Sequence, residues 1–141
     1  MDRIVIPPGL MQEMIAHARV SLPNEACGLI GGRGGRAERL YVLRNSDPSP
    51  VSYTADARDH MGAMKDMAAR GMELMAIYHS HPDSPPMPSI TDINRAFFPG
   101  TRELNYPGVV HVIISLSGPM PEARAYSIEA GGIRPVEIAP E

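Results

Sequence analysis

Cysteine is nearly absent from this chain: one residue, Cys27, among 141. A single thiol forms no internal disulfide and no multi-cysteine metal site, which agrees with a reducing compartment and leads us to expect a cytoplasmic protein. Clusters of basic residues are also missing. The 13 Lys and Arg are spread along the chain against 16 Asp and Glu, for a net charge of −3. The electrostatic footprint of a nucleic-acid binder is therefore not present. Long apolar runs are lacking too, since the stretch from Val109 to Leu116 is interrupted by His111. It falls far short of the roughly 20 residues that a membrane helix needs. The opening MDRIVIPPGL has no basic region followed by an apolar stretch and a small-residue cleavage site, so it does not read as a signal peptide. We find no repeat and no linker composition, and we expect residues 1–141 to form one domain.

Hydrophobic periodicity gives the element order. Arg3 to Ile6 reads as a strand closed by Pro7 and Pro8, and Leu10, Met11, Met14, Ile15 and Ala18 then recur at helical spacing. Ala26 to Ile30 and Ala37 to Leu43 read as strands joined through GGRGG, a hairpin turn in which no P-loop lysine or hydroxyl is found. NSDPSP, from Asn45 to Pro50, is a loop. Ala55 to Arg70 reads as a second helix ended by Gly71, with Met61, Met64, Met67 and Ala68 on its core face. A strand from Leu74 to His81, a proline-rich loop, and a short helix from Ser89 through Phe98 follow. Val109 to Ser115, Ala123 to Ile128 and Ile133 to Ile138 complete the strands. This order predicts an α+β fold with a single mixed, largely antiparallel sheet packed with helices.

The chemistry lies in IYHSHPDSPPMPSITD. Side chains alternate along a strand, so His79 and His81 share a face and Ser80 points the other way. Asp92, on the next helix, completes a three-ligand set, and three protein ligands with an open fourth position is the catalytic zinc pattern. The water of such a site needs a proton acceptor, and Glu25, between a turn and an apolar strand, has the best character for it. Ser89 has two jobs open to it: capping the helix, and donating its hydroxyl to an oxyanion. His111 reads as a satisfied strand histidine, His17 and His60 as helix-surface residues, and Cys27 as a small buried hydrophobe. A zinc nucleobase deaminase is disfavoured, because its HxE and PCxxC elements are missing.

Glu25 in PNEACGLIGG, then HSHP at His79 to Pro82, then Ser89 and Asp92 in SxxD, resemble the JAMM (MPN+/JAB) metallopeptidase family. The resemblance implies the family's α/β sandwich. It also implies one zinc held by His79, His81 and Asp92, Glu25 as general acid/base, and Ser89 donating to the oxyanion. The short chain and the EACGL turn look closer to the bacterial hydrolases of ubiquitin-like sulfur-carrier proteins than to eukaryotic deubiquitinases. The implied partner is a ubiquitin-like or sulfur-carrier protein with a Gly-Gly tail, cut after its last glycine. A noncatalytic MPN-like scaffold is the alternative, although such a module is expected to lack one of these residues.

Overall fold

The computed structural model describes residues 2–141. Strand β1 (Arg3–Val5) leads into helix α1 (Pro8–Ser21), which Pro at the first position favours. Strands β2 (Cys27–Arg33) and β3 (Arg36–Leu43) form a hairpin turning at Gly34 and Gly35, both at positive φ, as a two-residue turn of this hand requires. Helix α2 (Ala57–Ala69) is capped by the Asp56 side chain, which accepts from the Asp59 amide. It stops before Gly71, whose φ of +70° suits the left-handed exit from a helix. Then come β4 (Glu73–His81), α3 (Ile90–Arg95), β5 (Val110–Ser115), β6 (Glu122–Glu129) and β7 (Gly132–Ala139).

The expected mixed sheet forms, in the order β1-β3-β2-β4-β5-β6-β7, and it closes on itself because the short β1 pairs with both β3 and β7. The pairs β1–β3, β1–β7 and β4–β5 run parallel and the others antiparallel. Alternation divides the residues of the central strands between two cores. Ile30, Ala76, Tyr78, Val110, Val112 and Ile114 face Met14 and Ala18 of α1. Cys27 and Leu29 face Ala63 and Met67 of α2, with Ile77 packed beside them. Among the described residues no helix is long and apolar enough to cross a membrane.

Three expectations need correction. Met61 and Met64 are 60% and 38% exposed, and Ala68 is exposed too, so the core face of α2 is the Ala63–Met67 stripe. That rotation is held by charge: Asp59 accepts from the Arg44 amide at 2.9 Å, and Asp66 accepts from the Tyr41 hydroxyl at 2.5 Å. Helix α3 ends at Arg95 rather than at Phe98. Phe98 precedes a proline, which disfavours helical backbone, and its amide bonds Glu103 instead. His17 is half-buried rather than a surface residue, with its Nδ1 2.7 Å from the Tyr78 hydroxyl, and burial lowers its pKa.

Tyr78 is fully buried, and a Cβ added at Gly28 would lie 2.2 Å from its ring. The ring has no room to retreat without breaking the bond to His17. Gly28→Ala is therefore expected to cost about 2–4 kcal/mol, from overpacking plus a strained buried hydrogen bond, measured by urea unfolding.

Candidate functional site

The site sits at the C-terminal end of β4, on the sheet face that carries α2. His79 and His81 share that face, and the loop from Pro82 to Pro88 returns the chain so that α3 lies over them. His79 Nε2, His81 Nε2 and Asp92 Oδ2 are each 3.1 Å from the other two. Two imidazole nitrogens and a carboxylate oxygen drawn this close repel unless a cation or a proton lies among them. Ligand atoms of a tetrahedral transition-metal site with bonds of 2.0–2.1 Å stand about 3.3–3.4 Å apart, so the three donors fit such an ion with one position left open.

Each donor is held from behind. His81 Nδ1 lies 2.8 Å from the Pro85 carbonyl, which can only accept, so the proton is on Nδ1 and Nε2 presents its lone pair. His79 is stacked on Tyr53 with ring centroids 5.1 Å apart. Asp92 is the third residue of α3 and forms a reciprocal capping box with Ser89. Its amide donates to Ser89 Oγ at 3.0 Å, and the Ser89 amide donates to Asp92 Oδ2 at 2.9 Å. Burial raises the Asp92 carboxyl, but the adjoining His79 and His81 rings and the Ser89 amide outweigh it and hold the group well below the usual carboxylate range.

Glu25 joins them from the segment just before β2. Cys27 pairs with His79 in the antiparallel ladder, so alternation brings Glu25, two residues earlier, opposite His81 on the same face. Ser80, pointing away from the site, fixes this register by accepting from the Ala26 amide at 2.8 Å. The Glu25 amide donates to Ser49 and its carbonyl accepts from Asn45. Its side chain is different: Oε1 is buried with no hydrogen-bond partner among the described residues. Burial pushes the carboxyl up to about 7, with Asp92 adding to the shift and His81 and Arg95 opposing it. A carboxyl poised there exchanges a proton readily near neutrality.

All five residues singled out from the sequence thus lie together. Ser89 is exposed, and its oxygen already accepts from Asp92, which leaves its hydroxyl proton uncommitted. Cys27 is buried beneath the site, with its thiol pushed up to about 12 by burial and by Glu25 and Asp59, as expected of a packing residue. Four residues beside the site escaped the sequence reading: Tyr53, Arg95, Asn105 and Tyr106. His111, expected as a satisfied strand histidine, also reaches the site. It lies on the parallel neighbour β5, paired with Ile77 of β4 and so in phase with His79, and faces the same cleft. The in-phase position on an adjacent strand is the signal that could have found it. Burial pushes it down to about 4, and His79 adds to the shift.

The model of the prokaryotic homologs of the JAB domain matches residues 7–129. A probable TtuB-protein conjugate cleaving protease from Thermus thermophilus is 42% identical over 94 residues, or 66% of this chain and 63% of that protein. The aligned part is thus under two thirds of that relative's length. A CysO-cysteine peptidase from Mycobacterium tuberculosis is 32% identical over 140 residues, 96% of this chain and 90% of the relative. The solution structure of a protein from Desulfitobacterium hafniense is 40% identical, with a TM-score of 0.81 over 96% of this chain and 90% of that one. The chain belongs to the prokaryotic branch of the JAB domain family, and its kinship is with proteins named as peptidases.

Proposed function

We propose that this protein is a zinc-dependent peptidase that hydrolyses the amide bond after the C-terminal glycine of a ubiquitin-like or sulfur-carrier protein. The observation that carries this reading is the convergence of His79, His81 and Asp92 within 3.1 Å beside a buried carboxyl that has no partner. In this reading His79, His81 and Asp92 hold the zinc, which when bound acidifies water and polarises a carbonyl. Glu25 takes the proton of the attacking water through its unpartnered oxygen and returns it to the departing amine. The Ser89 hydroxyl donates to the carbonyl oxygen as that atom gains charge. The capping box keeps Asp92 aimed at the two histidines, and the Pro85 carbonyl keeps His81 in the ligating tautomer. The kinship with proteins named for cleaving a TtuB conjugate and a CysO-cysteine adduct supports a carrier-linked amide as substrate. An extended Gly-Gly tail presents little side-chain bulk, which suits a reacting carbonyl seated between the buried Glu25 and the exposed Ser89.

Elemental analysis of purified protein tests the centre. About one zinc per wild-type chain is expected, and less than a tenth of that in His81→Ala prepared identically. The wild type should then cleave an amide appended to a Gly-Gly carrier tail, and the variant should not. Equal or absent zinc in both would favour the noncatalytic scaffold.

A further inference from the structure

Nothing bonds the buried Oε1 of Glu25 among the described residues, so the aim of this carboxyl depends on where its backbone is held. The residue precedes β2 and lies outside the β2–β4 ladder, whose first pair is Cys27 with His79. Both bonds to its backbone come instead from one loop, residues 45–55. The Glu25 amide donates to the Ser49 carbonyl at 2.8 Å, and the Glu25 carbonyl accepts from Asn45 Nδ2 at 3.2 Å.

That loop has little backbone with which to hold itself. Pro48 and Pro50 have no N–H, and its two ends meet through the Asn45–Ala55 bridge and the Ser46 amide on the Thr54 carbonyl at 2.8 Å. The Asn45 side chain supplies the rest. Its Oδ1 accepts from the Asp47 amide at 3.2 Å and the Thr54 amide at 3.0 Å. Its Nδ2 donates to the Glu25 carbonyl and, at 3.5 Å, to the Ser52 carbonyl. A carboxamide has two donor hydrogens and two acceptor lone pairs, and all four are taken. The partners also fix which end is oxygen, because amides only donate and carbonyls only accept.

Tyr53 of the same loop stacks on His79, and its carbonyl takes an N–H from Arg95 of α3. The loop is thus braced against both elements that carry the three converging donors, while Asn45 ties Glu25 to the loop. We propose that Asn45 is a positioning residue for the general base, a role that rests on the amide-hydrolysis reading. Its carboxamide makes the loop a fixed support and holds the Glu25 backbone against it, which sets where the carboxyl meets the attacking water. Asn45 itself touches none of the proposed metal ligands and acts only through Glu25. Misplacing a reacting group by about 1 Å costs about 10²-fold in rate, so a tether of this kind is large enough to measure.

The test is a double-mutant cycle on zinc-loaded protein, with an amide appended to a Gly-Gly carrier tail as substrate. Asn45→Ala is expected to lower kcat by about 10–100-fold, with KM and zinc content within about twofold of wild type. In Glu25→Gln protein no base remains to be aimed, so the same change should move the residual kcat by less than about twofold. Asn45→Ser should behave alike and serves if Asn45→Ala does not fold, because its hydroxyl still accepts from the Asp47 amide but is too short to reach Glu25. Ser46→Ala is the control. It removes the Ser46 hydroxyl's bond to the Thr54 carbonyl, which loosens the loop without touching Glu25, and kcat should hold within about twofold. Equal losses with and without the base, an unchanged kcat in the Asn45 variants, or a matching loss in Ser46→Ala would overturn the assignment and leave the hydrolase reading standing. If wild type cleaves no carrier amide, the hydrolase reading fails, and hydrogen exchange at the Glu25 amide decides the tether. Exchange about tenfold faster in Asn45→Ala but not in Ser46→Ala would support it, and unchanged exchange would overturn it.

Discussion

Glu25→Gln is expected to lower hydrolysis by about 10²–10⁴-fold while zinc content stays at the wild-type level. The replacement keeps the shape of the side chain and removes only its ability to take a proton, and Glu25 is not among the three mutually close donors. Stability should move the opposite way. In the folded chain the carboxyl sits at about 7 because burial disfavours its charge, against an ordinary value of 4.5. The native state therefore binds a proton that the unfolded chain has released between those two values. Linkage then removes stability as pH rises through the window from 4.5 to 7, and glutamine does not titrate. In metal-free protein the variant should thus gain on wild type between pH 4.5 and 8, by up to about 3 kcal/mol. Urea unfolding at the two pH values checks this, and a constant gap would mean that the carboxyl is not desolvated. Wild-type turnover in the variant would remove Glu25 from its proposed role. Lost activity with gained stability is the pattern expected when a fold keeps an unfavourable buried group for its chemistry.

Four residues of the candidate site are legible from local rules, and Glu25 only from its character and the family resemblance. Alternation along β4 sends His79 and His81 to one side, and the capping signal S-x-x-D aims Asp92 at them from a helix start. The hairpin turn at Gly34 and Gly35 was legible for the same reason. What stayed hidden depends on contacts distant in the chain. Closure of the sheet turns on the three residues of β1, too few to announce that both of their edges are paired. The methionines of α2 are spaced as a helical stripe, yet Asp59 and Asp66 rotate the helix so that Ala63 and Met67 face the sheet. His17 looks like any helix histidine until Tyr78, 61 residues on, is brought against it. Arg95, Asn105 and His111 belong to no motif and meet only when the fold brings them to the wall of one cleft.

Ser89→Ala is expected to reduce turnover by about 10²–10³-fold, the usual cost of one oxyanion donor, and also to destabilise the protein by about 1 kcal/mol through loss of the N-cap. Two causes for one loss of activity must be separated, because Ser89 supports Asp92 as well as facing solvent. Its oxygen accepts from the Asp92 amide, while Asp92 Oδ2 is oriented by the Ser89 backbone amide, a contact that survives any substitution except proline. Glycine caps a helix within a few tenths of a kcal/mol of serine but has no hydroxyl. Ser89→Gly should therefore match Ser89→Ala in turnover and wild type in thermal stability, with zinc content unchanged in both. Ser89→Thr keeps both the cap and the donor and should restore most of the rate. Should Ser89→Gly retain wild-type turnover, the hydroxyl does not serve the reaction, and the residue acts only by holding the start of α3 and, through it, the carboxylate that meets His79 and His81.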